Sequence, residues 1–148
     1  MEKTLDEVAI HKAHYSEILD ILKNDPFAEY LGFEIIDFTT GGATVQVQVQ
    51  EHMLNVHATV HGGLLYTLAD YAFAIACNSY GKTSVGLSTT TNFMKSAVAG
   101  DTVTAKATEL RKNNRTGFYR IEIETKGEVI ASIEAIAYRK SKYFINVE

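Results

Sequence analysis

An α+β fold, with one antiparallel sheet curved around a single buried helix, is the architecture this sequence predicts. Three observations point to it. Residues 43–50 read ATVQVQVQ, with Val45, Val47 and Val49 alternating against Gln46, Gln48 and Gln50. That period of two marks an antiparallel strand with one wet face. Leu64 to Ser79 is rich in Leu and Ala and apolar on nearly every side, which predicts a helix buried all round. Four further strand-like segments follow that helix, enough to wrap it.

The elements follow in order. Thr4-Leu5-Asp6-Glu7 fits a capping box with Thr4 as N-cap. Ile18, Leu19, Ile21 and Leu22 fall at helical spacing, and Asn24-Asp25-Pro26 ends that segment. Residues 1–26 are therefore expected to be a helical N-terminal extension, in one or two pieces. Gly32 to Phe38 reads as a strand and Thr39 to Gly42 as a turn. Residues 51–61 show neither period and read as a loop. After the central helix, Gly81 is the expected C-cap. The remaining strands are expected at Val85–Met94, Thr102–Arg111, Phe118–Thr125 and Val129–Arg139, with a turn at Lys126-Gly127. No repeat or linker divides the chain, so residues 1–148 read as one domain.

Bulk properties exclude several classes. With 148 residues and 46% hydrophobic content the chain has enough material for one sizeable core. Its net charge is −4 and it lacks a basic block, which argues against a nucleic-acid partner. Cys77 is the only cysteine, so no intrachain disulfide forms, and its apolar setting reads as a buried reduced thiol. The acidic start is no signal peptide, and the run from Leu64 to Cys77 is shorter than the ~20 residues a bilayer requires. No membrane association and a cytoplasmic location are the expectations.

The one carboxylate inside the apolar helix, Asp70, demands a reason, because an unpaired buried charge costs several kcal/mol. Three readings stand. Asp70 could cap a helix that starts at Thr67, could be a structural carboxylate paired with an Arg or with backbone donors, or could face a cleft and do chemistry. Gly62 and Gly63 favour the third. They stand at the helix start, where N–H groups lack intrahelical acceptors and the dipole favours developing negative charge. Without side chains they admit a ligand oxygen, as an oxyanion hole does.

Geometry then constrains the site. Asp70 follows Gly62 by eight positions, ~12 Å along a helix at 1.5 Å per residue. One chain's pair cannot both touch one carbonyl. A two-fold dimer with antiparallel helices would set Asp70 of one chain opposite Gly62 of the other.

The ordered set Asn55, His61-Gly62-Gly63 and Asp70 resembles the motif of hotdog-fold acyl-CoA thioesterases, in their phenylacetic-acid-degradation (PaaI-type) branch. Gly100-Asp101 and the strands after it continue the likeness, which covers about residues 27 to 140. The resemblance implies a helix wrapped by antiparallel strands and a homodimer sharing its sites, with a dimer of dimers in addition. It implies hydrolysis of an acyl- or aryl-CoA to the acid and free CoA, with no cofactor beyond the CoA of the substrate. Asp70 would be the general base or the nucleophile. The Gly62 N–H would polarise the thioester carbonyl, Asn55 would bond the water or carbonyl, and His61 would orient the loop. The chain departs from the pattern at Phe93-Met94-Lys95-Ser96, where Pro is common. It also departs at Asn114-Arg115-Thr116, where relatives often have Gly-Arg-Thr. At Gly86 some members place a Ser or Thr near the water, a role left here to Ser84 or Ser88.

Other groupings carry less. His52, His57 and His61 have no regular ligand spacing and no cysteine beside them, so no metal is expected. Arg111, Lys112 and Arg115 read either as a solvated hairpin tip or as contacts to CoA phosphates, with Lys95 a further candidate and Gly63 beside the carbonyl. Tyr66, Tyr71 and Phe73 read as acyl-pocket lining or as core. Two rival functions remain at this stage: a non-catalytic acyl-CoA-binding module, and a hydratase or dehydratase pairing His61 with Asp70.

Overall fold

The computed structural model describes residues 5–148. Three short helices, α1 (Glu7–Ala13), α2 (Tyr15–Lys23) and α3 (Pro26–Leu31), lead into strands β1 (Glu34–Thr39) and β2 (Gly42–Gln48). A 3₁₀ turn at Glu51–Met53 precedes the central helix α4 (Gly62–Cys77). Strands β3 (Lys82–Phe93), β4 (Thr102–Lys112), β5 (Thr116–Thr125) and β6 (Glu128–Tyr143) complete one antiparallel sheet, ordered β1-β2-β4-β5-β6-β3.

The alternation read from the sequence sets the inner face. Val45 lies opposite Ala105, Ala105 opposite Ile123, and Ile121 opposite Ile133. All are buried, and α4 packs over them through Leu65, Leu68, Ala72 and Ile75. Alanines at 105, 107, 131, 135 and 137 keep that inner face shallow, which lets the helix approach the sheet closely. No helix among the described residues is long and apolar enough to cross a membrane.

Several boundaries differ from the sequence expectation. The cap expected at Thr4 lies outside the described residues; α1 is capped by Asp6, whose Oδ1 accepts the Ala9 N–H. The N-terminal helices run past residue 26, because Asp25-Pro26 starts α3 as N-cap and first helical residue rather than merely stopping α2. Helix α4 starts at Gly62, not Leu64, and Asn78 is its cap. Gly81, at φ 74°, turns the chain into β3 three residues later. Thr67 lies inside α4 with its hydroxyl donating to the Gly63 carbonyl, so no helix begins there and the capping reading of Asp70 falls.

Helix α1 closes the C-terminal end of α4. His11 Nδ1 lies 2.7 Å from the Ser79 carbonyl, and Glu7 pairs with Arg139, which is 3% exposed. Lys112 also reaches Glu7 and stands 4.7 Å over the Tyr80 ring.

Candidate active site

The first turn of α4 leaves one donor open. Gly63 N–H donates to His61 Nδ1 at 2.9 Å, and the N–H groups of Leu64 and Leu65 both reach the His61 carbonyl. Gly62 N–H has no acceptor among the described residues. The pair of glycine donors expected from the sequence is thus a single donor, because His61 acts as N-cap through its own ring. The Phe93 ring lies beside Gly62, 3.4 Å from where a Cβ would stand.

Asp70 lies two turns along α4. It is exposed in the single chain, with no hydrogen-bond or ion-pair partner among the described residues, so the structural-carboxylate reading has no partner to rest on. It borders a crevice with Tyr66, Phe73 and Thr89. Although much of its surface is exposed, these neighbours partly desolvate the carboxyl, and this, and then the negative charge of Asp25, push it above the ordinary aspartate value. The Tyr66 and Thr89 hydroxyls are hydrogen-bonded at 3.0 Å.

Thr89 was not singled out from the sequence. Ser84 is buried, with its hydroxyl donating to the Lys82 carbonyl, and it does not line the crevice. Gly86 sits against Phe73, 3.4 Å from its ring at the Cβ position. Strand pairing to a distant segment brings Thr89 beside α4, and no local pattern signals that.

Asn55 is held by its own loop. Its Oδ1 accepts the N–H groups of His57 and Thr59, and its Nδ2 donates to Thr59 Oγ1. The expected cationic residues separate. Lys95 is paired with Glu128 near the Phe93 end of β3. Lys112 is occupied by Glu7 and Tyr80, a departure from the free hairpin tip expected for it. Arg111 and Arg115 are exposed. Their hairpin lies beside Lys82, whose ammonium donates to the Asn114 carbonyl, at the opposite end of β3 from Phe93. Within one chain they cannot reach a group held at Gly62.

Comparison with known proteins decides the family. A model of the Thioesterase superfamily (4HBT) matches residues 57–132. The acyl-coenzyme A thioesterase PaaI of Escherichia coli is 43% identical over 113 residues, 76% of this chain and 80% of that protein. The chain belongs to the thioesterase superfamily, in its PaaI-type acyl-CoA thioesterase branch. A putative esterase of Archaeoglobus fulgidus is 34% identical over 123 residues, 82% of this chain and 80% of that one. The solved structure of the E. coli PaaI protein superposes with a TM-score of 0.85 at 36% identity, covering 90% of this chain and 98% of that one.

The hotdog fold expected from the motif is therefore the fold observed, and this thioesterase is a thioester hydrolase. The family match takes in α4 and β3 to β5 but leaves out α1 to α3, β1, β2 and Asn55.

Proposed function

We propose that this thioesterase hydrolyses an acyl- or aryl-CoA at a site shared by two protomers, giving the carboxylic acid and free CoA. The observation that carries this reading is the single free Gly62 N–H, ~12 Å from an unpaired Asp70 on the same helix. The carbonyl rests on the Gly62 N–H of one protomer, and Asp70 of the other attacks it or removes a proton from water that does. The tetrahedral oxyanion is held by the same N–H, then collapses and expels the CoA thiolate; where Asp70 itself attacks, the collapse leaves a mixed anhydride on Asp70, which water hydrolyses to the acid. The thiolate leaves without the protonation an amine would need, so the reading requires no metal and no cofactor beyond the substrate's own CoA.

A two-fold axis at the level of Tyr66 would set Asp70 opposite the partner's Gly62, since each is four positions from Tyr66. Thr89 stands beside Tyr66 on β3, the edge strand. That strand leaves its outer edge unpaired and exposes Val85, Leu87 and Phe93, as a strand awaiting a second copy would. The antiparallel copy would also carry the Arg111 and Arg115 hairpin of one protomer toward the Gly62 end of the other, where CoA phosphates are within reach. Lys95 joins them there; Lys112 does so only by leaving Glu7. Asn55 offers the carbonyl its remaining Nδ2 proton, His61 holds the turn, and Gly63 lines the wall. A dimer of such dimers and a cytoplasmic location complete the reading.

Thiol release from a panel of CoA thioesters tests it, with wild type compared to Asp70→Asn. Loss of ~10²-fold or more in an intact dimer supports Asp70 as the catalytic group. Equal rates in the two proteins would place the chemistry on another residue. No release by a folded wild-type dimer would leave a binding module.

A further inference from the structure

We propose that helix α3 and the 3₁₀ turn form the acyl pocket, and that Phe27 and Leu31 select an apolar aryl or medium-chain acyl group. This rests on the reading of Gly62 as the carbonyl donor. Beside the first turn of α4 lies a groove of about 480 Å³, counting its open mouth. Its walls are Phe27 and Leu31 from α3, Met53 with the following Leu54, and Leu64 and Thr67 from α4, while His52, His61 and Gly63 complete the lining. Thr67 adds no free hydroxyl, because that group donates to the Gly63 carbonyl at 2.7 Å.

A thioester carbonyl at Gly62 carries two substituents, and two routes lead away from the helix end. One passes Phe93 toward the exposed Met94 and Lys95. The other enters the groove. The pantetheine arm is long, polar and ends in phosphates, so it suits the open route with its cation. The acyl group is the apolar substituent and suits the groove.

Helix α3 is built to hold its position. Asp25 Oδ1 caps the Ala28 N–H at 3.0 Å, Pro26 begins the helix, and Gly32 closes it at φ 74°. This six-residue helix nonetheless leaves Phe27 57% exposed, with Leu31 four positions on along the same groove. In the single chain more than half of that side chain stays uncovered, and an acyl group in the groove would cover it. Helix α3 lies outside residues 57–132, so the family model does not itself describe this wall of the groove.

The test measures kcat and KM for acetyl-, hexanoyl-, benzoyl- and palmitoyl-CoA in wild type, Phe27→Ala, Phe27→Leu and Leu31→Ala. Wild type is expected to prefer the hexanoyl or benzoyl substrate. The two alanine variants should raise KM for those substrates about tenfold, a magnitude typical of lost apolar pocket contact. Acetyl-CoA should change less than about twofold, and Phe27→Leu should recover most of the loss. Equal losses on all four substrates, no loss on any, or a wild-type preference for acetyl or palmitoyl would overturn the proposal. Calorimetric affinity of the matching acyl-CoA thioethers for the Asp70→Asn protein separates the two readings. A chain-length dependence there that Phe27→Ala removes upholds the pocket even if Asp70 is not catalytic, and its absence sinks the pocket.

Discussion

His61 Nδ1 accepts the Gly63 N–H at 2.9 Å, and this one bond makes Gly62 the sole open donor of α4. The donor can be removed almost alone. Gly62 is the first helical residue, where proline is tolerated, and His61 at φ −62°, ψ 132° already has a backbone suited to precede one. Gly62→Pro is expected to lower kcat by ~10²–10³-fold, the usual cost of losing an oxyanion donor. Circular-dichroism melting should show Tm little changed.

In the proposed reaction Asp70 would serve as base or nucleophile only when ionised. Burial, and next the charge of Asp25, raise its carboxyl above the ordinary value. The acid limb of kcat/KM should therefore lie above the range of a free aspartate, with activity rising as pH rises through it. Asp25→Asn removes the second cause while keeping the cap on α3, since Asn caps as well as Asp. Its pH–rate profile should shift to lower pH.

If the two-fold axis passes by Thr89, two copies of residue 89 face each other across paired β3 edges. Thr89→Cys should then form an interprotomer disulfide under mild oxidation, seen as a dimer on a non-reducing gel. Asn92→Cys, three residues from the axis, should not. Cys77 is buried, with its thiol pushed up to about 12, and contributes no background.

Glu7 is the partner of an almost wholly buried guanidinium, and Arg139 Nε already lacks an acceptor. Glu7→Ala should cost about 3 kcal/mol, the scale for stranding one member of a buried pair, read as a lower denaturant midpoint. Burial raises the Glu7 carboxyl, but Arg139, with Lys112 and Lys82, outweighs it and holds the carboxyl below the ordinary value. Its stabilisation is thus present above the ordinary carboxylate range and is lost as pH falls through the lowered value. The variant should show a weaker loss of stability in acid than wild type.

Residue patterns made much of this legible and left particular parts hidden. Val45, Val47 and Val49 declared their buried face because a strand's period is two. Asp70 declared itself because a carboxylate in an apolar helix needs a reason. Helix α3 is hidden in the sequence because Asp25-Pro26 both ends one helix and begins the next, and local spacing alone favours the first. Arg139 would pass for a surface residue on its strand, since only the distant Glu7 allows it to be buried.

The sequence by itself determined the central helix, its wrapping strands and the motif from His61 to Asp70. These follow from periodicity, residue chemistry and helix rise, all local or one-dimensional quantities. Only the tertiary structure decided that Gly63 is capped, that Thr89 stands beside Tyr66, that Lys112 turns to Glu7, and that α3 walls a groove next to Gly62. Each is a meeting of segments far apart in the chain or a choice among hydrogen-bond partners. Such outcomes depend on how elements pack, which no local spacing encodes.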